Sequence, residues 1–272
     1  AGNVNTLNPR AVVAYNPFAT FSIATTYTGT SGNQTRCATS INNTNYYIAD
    51  QGGIYTNSST SASPSANPRG IKAFGGVVYL GQASATTTTI QVSTISAITG
   101  GTITGLPGLT NNASFFDFYL ISSGSNGSSF DVLYVIGNTS ATAGTISKYS
   151  LVSGSWSANG TYATTFGGFG LCAAKQGSGA YLYATTGTGA TAANSVIRMN
   201  DLAGYNATIN ISTGSNLTMY TTTGTNTLKG IAFVPASAAP VATLTVGALT
   251  PAGSFSTTAG APSAVKTFTV SG

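Results

Sequence analysis

An all-β fold is what this sequence predicts, on three observations. Thr, Val, Ile, Tyr and Phe, which suit a pleated, half-buried surface, are abundant, while the helix-favouring Leu, Glu, Lys and Arg are scarce. Apolar residues fill 42% of the 272 positions, too many for a disordered chain. Short runs of strand character alternate with Gly, Asn and Ser turns along most of the length. That length allows one large β domain, or a domain plus a fragment, with a sizeable core.

The clearest module begins at Arg69. Strand A covers residues 70–74, Gly75-Gly76 makes a tight hairpin, and strand B covers 77–81. After a Ser/Thr-rich loop come strand C at 89–93 and strand D at 102–104. The same order returns around B-strand tyrosines Tyr47, Tyr79, Tyr134 and Tyr183, at intervals of about 30 to 55 residues. Each follows an A strand, at 36–38, 70–72, 116–120 and 170–173, and candidate C strands lie at 53–55, 145–149 and 195–199. In the third unit Ser153-Gly154 turns the chain into a D strand carrying Trp156.

Four-stranded units repeated in this way predict a β-propeller over residues 1–235. A solitary A strand at 229–234 has its expected partners at the other end of the chain, at 11–15 and 21–25, so N- and C-terminal strands close a ring of about five blades. Residues 236–240, rich in Pro and Ala, read as a linker. Beyond them, alternation at 241–246 and 266–270 predicts a partial Ig-like or strand-exchange segment over 241–272: the opening of a sandwich of about 100 residues, or strands that complete a neighbour's sheet.

The run Tyr47-Ile48-Ala49-Asp50-Gln51-Gly52-Gly53-Ile54-Tyr55, with Arg69-Gly70-Ile71 and Lys229-Gly230-Ile231-Ala232, resembles the NHL-type propeller repeats of secreted bacterial surface proteins. The segment around Ser254 to Gly260 resembles the start of a bacterial Ig-like repeat. The resemblance spans residues 30–235 loosely and implies an extracellular or cell-surface location.

Composition bears on function mainly by exclusion. There is no histidine and no glutamate, and the only acids are Asp50, Asp117, Asp131 and Asp201. Triad catalysis lacks its usual base, the four aspartates fall on separate strands and turns where no two are evident partners for glycoside hydrolysis, and calcium would want more carboxylates. Ser263-Ala264-Val265-Lys266 spells S-x-x-K on a segment that alternates like a strand, which puts the two residues on opposite faces. Gly187-Thr188-Gly189 is followed by a strand, so it reads as a blade loop and not as a phosphate-binding turn. No enzyme, metal or cofactor is expected.

Net charge is +5, but the cations are scattered, which argues against nucleic acid, and no apolar run approaches a membrane span. Cys37 and Cys172 admit one disulfide across the channel, from A-strand positions read as equivalent, or two buried thiols. Asn33, Asn42, Asn57, Asn112, Asn126, Asn138, Asn159, Asn206, Asn210 and Asn216 head glycosylation sequons. The reading is a non-enzymatic extracellular structural or adhesive protein, a repeating subunit of a surface fibre or matrix that self-associates or contacts neighbouring domains. The alternatives are a carbohydrate-binding module, with Tyr and Trp156 faces on sugars, and a polysaccharide hydrolase or lyase.

Overall fold

The computed structural model describes residues 4–83, 90–187, 192–234, 245–246 and 270–271. It is all-β apart from single turns of 3-10 helix at Val4–Thr6 and Thr213–Ser215. A hairpin opens the chain, β1 (Arg10–Tyr15) with β2 (Phe21–Tyr27). Four antiparallel meanders follow. The first is β3 (Thr35–Ser40), β4 (Tyr46–Asp50) and β5 (Gly53–Tyr55); the second is β6 (Pro68–Phe74), β7 (Val77–Gln82), β8 (Val92–Ile95) and β9 (Ile103–Gly105). The third is β10 (Phe115–Ile121), β11 (Val132–Ser140), β12 (Ala143–Val152) and β13 (Ser155–Thr164); the fourth is β14 (Gly168–Gln176), β15 (Gly179–Thr186), β16 (Ser195–Asp201) and β17 (Leu217–Thr221). All of these lie in one compact unit, within residues 1–16 and 20–233; a second unit contains the short pair β18 (Thr245–Val246) and β19 (Val270–Ser271).

Successive sheets pack through their first strands, β3 on β6, β6 on β10 and β10 on β14, which is the arrangement of propeller blades around an axis. Each junction holds its own core. Tyr27, Ile48 and Tyr55 pack between the hairpin and blade one; Ile54, Ile71, Val78 and Leu80 between blades one and two. Phe115, Phe118, Leu120, Val92 and Trp156 fill the next gap, and Ile136, Ile146, Leu171, Leu182 and Met199 the last. Close approach is possible because small residues sit under large ones: a Cβ on Gly81 would stand 2.0 Å from the Phe115 ring. The expected Gly75-Gly76 hairpin forms with both residues at positive φ, 57° and 79°, as a tight two-residue turn requires.

The repeat is confirmed at residue level by the ladders. Tyr47, Tyr79, Tyr134 and Tyr183 pair with Thr39, Lys72, Tyr119 and Cys172 on the neighbouring inner strand. Two positions or more before those partners, each inner strand carries a β-bulge, after Thr35, Pro68, Phe115 and Gly168. The extra residues are therefore equivalent: Arg36, Arg69, Phe116 and Phe169.

Blade number and closure differ from expectation. Four blades form among the described residues, the first with only three strands, and residues 229–234 carry no strand pairing. The strands expected to close the ring, at 11–15 and 21–25, pair with each other instead. The reason lies in where the main-chain groups of 228–229 go. The Asn194 side chain donates to the Leu228 carbonyl (2.7 Å) and accepts from its N–H (2.8 Å), and the Thr185 hydroxyl donates to the Lys229 carbonyl (3.0 Å). The segment still lies against blade four, where a Cβ on Gly170 would meet the Ile231 nitrogen at 3.1 Å and Gly230 Cα at 3.2 Å. Strands C and D of blade two also start later than expected, at Val92 and Ile103. The linker at 236–240, Ser263, Lys266 and most of the segment 241–272 lie outside the described residues.

Gly81→Ala should lower stability by about 1–3 kcal/mol through overpacking against Phe115. Gly230→Ala, with no described atom within 4 Å of the added methyl, should change it by less than about 0.5 kcal/mol. Urea midpoints of the two variants check this; equal midpoints would show that the blades are not in close contact at Gly81.

Candidate functional site at the blade axis

The four aspartates are all buried. Three of them bridge adjacent sheets through a cation: Arg10 on β1 to Asp50 on β4, Lys72 on β6 to Asp117 on β10 (2.7 Å), and Lys148 on β12 to Asp201 on β16 (2.8 Å). A buried charge is tolerable only when its remaining hydrogen-bonding capacity is filled. Lys148 meets that condition, since its Nζ also donates to the carbonyls of Ala203 (2.7 Å) and Gly204 (2.9 Å). Arg10 donates to the carbonyls of Leu7 and Thr30 besides Asp50. On the acid side, Tyr27 donates its hydroxyl to Asp50 (2.9 Å) and Tyr134 to Asp201 (2.8 Å). Each of these tyrosine rings also lies under its cation, at 5.9 Å. Among the described residues Asp131 has no cation partner; Ser123 and Asn126 donate to it instead.

Lys72 and Asp117 lie at the axis. The Lys72 ammonium reaches Asp117 of blade three and the Leu171 carbonyl of blade four (2.8 Å), over the ring of Tyr119 at 5.3 Å. Asp117 Oδ2 in turn accepts the Leu171 N–H at 2.8 Å, and Cys37 Sγ accepts the Ile71 N–H at 3.2 Å. Counted from the bulges, Cys37 and Asp117 are equivalent, as are Ile71 and Leu171, so the same contact joins blade one to two and blade three to four.

That count corrects the reading of the cysteines. Cys37 follows its bulge directly, whereas Cys172 pairs with Tyr183 two residues further along its strand, so the two positions are not equivalent. Both are free thiols. Burial pushes each up to about 12, and neither is a nucleophile at neutral pH. Burial also drives the Tyr134 phenol far upward, helped by the neighbouring Asp201.

One level along the axis, the four bulge residues form a row. The guanidinium of Arg36, half-buried, donates to Asn67 Oδ1 (2.7 Å) and to the Pro68 carbonyl. Arg69, exposed, lies 5.9 Å over the Phe116 ring, and Phe116 meets Phe169 edge-on with centroids 6.0 Å apart. Burial, and then the neighbouring charge of Arg69, lowers Arg36 to about 10. A cavity of about 340 Å³ opens beside Phe169, lined also by Phe166, Thr186, Asn194 and Ile197. Nothing in the sequence pattern marks this row, because the bulge that aligns it is invisible before pairing is known.

The sequons divide by exposure. Asn138 and Asn159 are buried, with amide nitrogens donating to the Gly187 carbonyl and to Asn206 Oδ1, which leaves no room for a glycan in the folded chain. Asn33, Asn57, Asn112 and Asn216 are half-buried, and Asn57 and Asn216 donate to the Thr44 carbonyl and Tyr162 hydroxyl. Asn42, Asn126, Asn206 and Asn210 are exposed. Trp156, Tyr47 and Tyr134 are core residues and offer no face to a sugar. Among the described residues no cluster of acids and thiols could hold a metal ion, and no helix is long and apolar enough to cross a membrane.

Comparison with known families finds no family model that matches the chain, and comparison with curated proteins and with solved structures finds no match.

Lys148→Met, which leaves Asp201 without its cation, should cost about 3–5 kcal/mol, read as a urea-midpoint shift; a loss below about 1 kcal/mol would mean the pair is not structural. A second expectation concerns pH. Cysteine and tyrosine ionise ordinarily at 9.0 and 10.0, but the two thiols hold their protons to about 12 in the fold. Above about pH 9 the unfolded chain loses protons that the folded chain keeps, so stability should fall as pH rises from about 9 toward 12. The double variant Cys37→Ser, Cys172→Ser should lose less over that range, and a midpoint flat from pH 8 to 11 in the parent chain would refute the shifts.

Proposed function

We propose that this chain is a non-enzymatic, extracellular structural or adhesive module that associates with copies of itself or with neighbouring domains of a surface assembly. The observation that carries this reading is apolar exposure on strands at the two ends of the blade series. Val13 on β1 and Phe21 and Ile23 on β2 are 54%, 72% and 70% exposed, and Leu217, Met219 and Tyr220 on β17 are 46%, 51% and 59% exposed. A monomer has no use for such strands at its sheet edges, and covering them by a further strand or sheet is the physical remedy. The absence of histidine, the engagement of all four aspartates within the fold and the protonated thiols support a non-catalytic role.

A carbohydrate-binding module is the second reading. The cavity beside Phe169 and the Arg/Phe row favour it, since apolar rings with few polar groups suit a sugar ligand.

Sedimentation velocity tests the first reading. The parent chain should associate with rising concentration, and Phe21→Ser with Ile23→Ser should weaken that association about tenfold or more, in line with loss of interface anchors. A parent that stays monomeric, or a variant that assembles as the parent does, would overturn it.

A further inference from the structure

We propose that the row of bulge residues at one end of the blade axis binds acidic polysaccharide, with Arg69 and Arg36 taking uronate carboxylates and the Phe116–Phe169 pair with its adjoining cavity taking the apolar face of a sugar ring. The proposal deepens the carbohydrate-binding reading by naming the ligand class and the residues.

Four observations carry it. First, the fold delivers these side chains to one place: a β-bulge at the same point of four inner strands sets Arg36, Arg69, Phe116 and Phe169 at one level, and bulges re-aim side chains in this way. The Lys229-Gly230-Ile231 backbone passes Gly170, the residue after Phe169. Secondly, Arg69 has a cation's charge and no carboxylate. The three ion pairs among the described residues belong to Arg10, Lys72 and Lys148, and every aspartate is buried. Thirdly, both guanidinium groups are positioned before any ligand arrives, Arg36 by Asn67 and the Pro68 carbonyl, Arg69 by the Phe116 ring. Holding the side chain in advance lowers the entropy lost on binding. Fourthly, the charge of Arg69 adds to burial in lowering Arg36; an anion between the two arginines relieves that repulsion.

The chemistry selects the ligand. A planar guanidinium matches a carboxylate with two parallel N–H···O bonds. A sugar carrying that carboxylate also offers an apolar C–H face to phenylalanine and hydroxyls to the Thr186 side of the cavity. Neutral glycans leave the arginines unanswered. A nucleic acid would want several more cations in line with successive phosphates, where this row gives way to two phenylalanines.

Titration calorimetry at low salt with polygalacturonate, its methyl-esterified form and single-stranded DNA tests this on the full chain. Arg69→Gln and Lys175→Gln are compared, since both remove one exposed positive charge and only the first lies in the row. The expected result is binding of polygalacturonate, about tenfold weaker binding of it by Arg69→Gln, near-parent binding by Lys175→Gln and a comparable loss on methyl esterification. Equal weakening by the two variants would reduce the effect to net charge and overturn the site. So would equal binding of acid and ester, tighter binding of DNA, or no binding of polygalacturonate. Reducing sugars assayed in the same samples separate the two claims: release of oligosaccharide would sink the non-enzymatic reading while leaving the binding site in place.

Discussion

Charge carried across sheet junctions is the constraint on which this fold depends. The cores between blades are apolar, and hydrophobic contact is non-directional, so they resist separation of the sheets better than sliding. An ion pair with fixed geometry resists sliding as well. Arg10–Asp50 ties the N-terminal hairpin to blade one, Lys72–Asp117 ties blade two to three, and Lys148–Asp201 ties three to four. In the two fully buried pairs, Arg10–Asp50 and Lys148–Asp201, removing either partner would strand a charge away from water, which costs far more than the pair contributes over an apolar replacement. The pairs are therefore best understood as setting which sheet meets which, and in what register.

Among the described residues the junction between blades one and two has no pair of this kind. There the Cys37 sulfur accepts the Ile71 N–H, and Arg36 donates to Asn67 and to the Pro68 carbonyl. A protonated thiol is a weak acceptor, so the arginine supplies most of the directional contact. Asp117 makes the stronger version of the same bond, to Leu171, two blades on. One structural position thus holds a thiol, an aspartate and two glycines: an acceptor where there is a side chain, and bare Cα at Gly70, which faces the Asp117 carboxylate, and at Gly170, which faces the backbone of Lys229 to Ile231.

Much of the architecture was legible in the sequence, because a four-stranded meander repeats its own pattern. The B-strand tyrosines align residue for residue in the ladders, and the Gly75-Gly76 turn is where its glycines place it. What stayed hidden depends on pairing. The ion-pair partners lie about 40 to 53 residues apart, with no local pattern joining Lys148 to Asp201. The hairpins that join first to second strands differ in length, with Thr39 opposite Tyr47 in blade one and Cys172 opposite Tyr183 in blade four, so reading along the sequence aligned Cys37 with Cys172 although the two sit at different levels. The ring closure failed for a related reason. Lys229-Gly230-Ile231 has the residues of an inner strand, but Asn194 and Thr185 hold the main-chain groups of Leu228 and Lys229.

The same placement of charge shapes the exterior. With nine cations and four aspartates, net charge is modest, yet every acid is inside and all but one is matched by a cation, so what remains outside is cationic or neutral. A surface of hydroxyls and amides carries that small excess without neighbouring carboxylates to quench it, and a single arginine over a phenylalanine ring then acts as a local feature of the potential. Had the aspartates been placed outside, the sheets would have lost their joints and Arg69 its isolation. The interior use of acids and the unpaired arginine at the blade axis are two consequences of one distribution of charge.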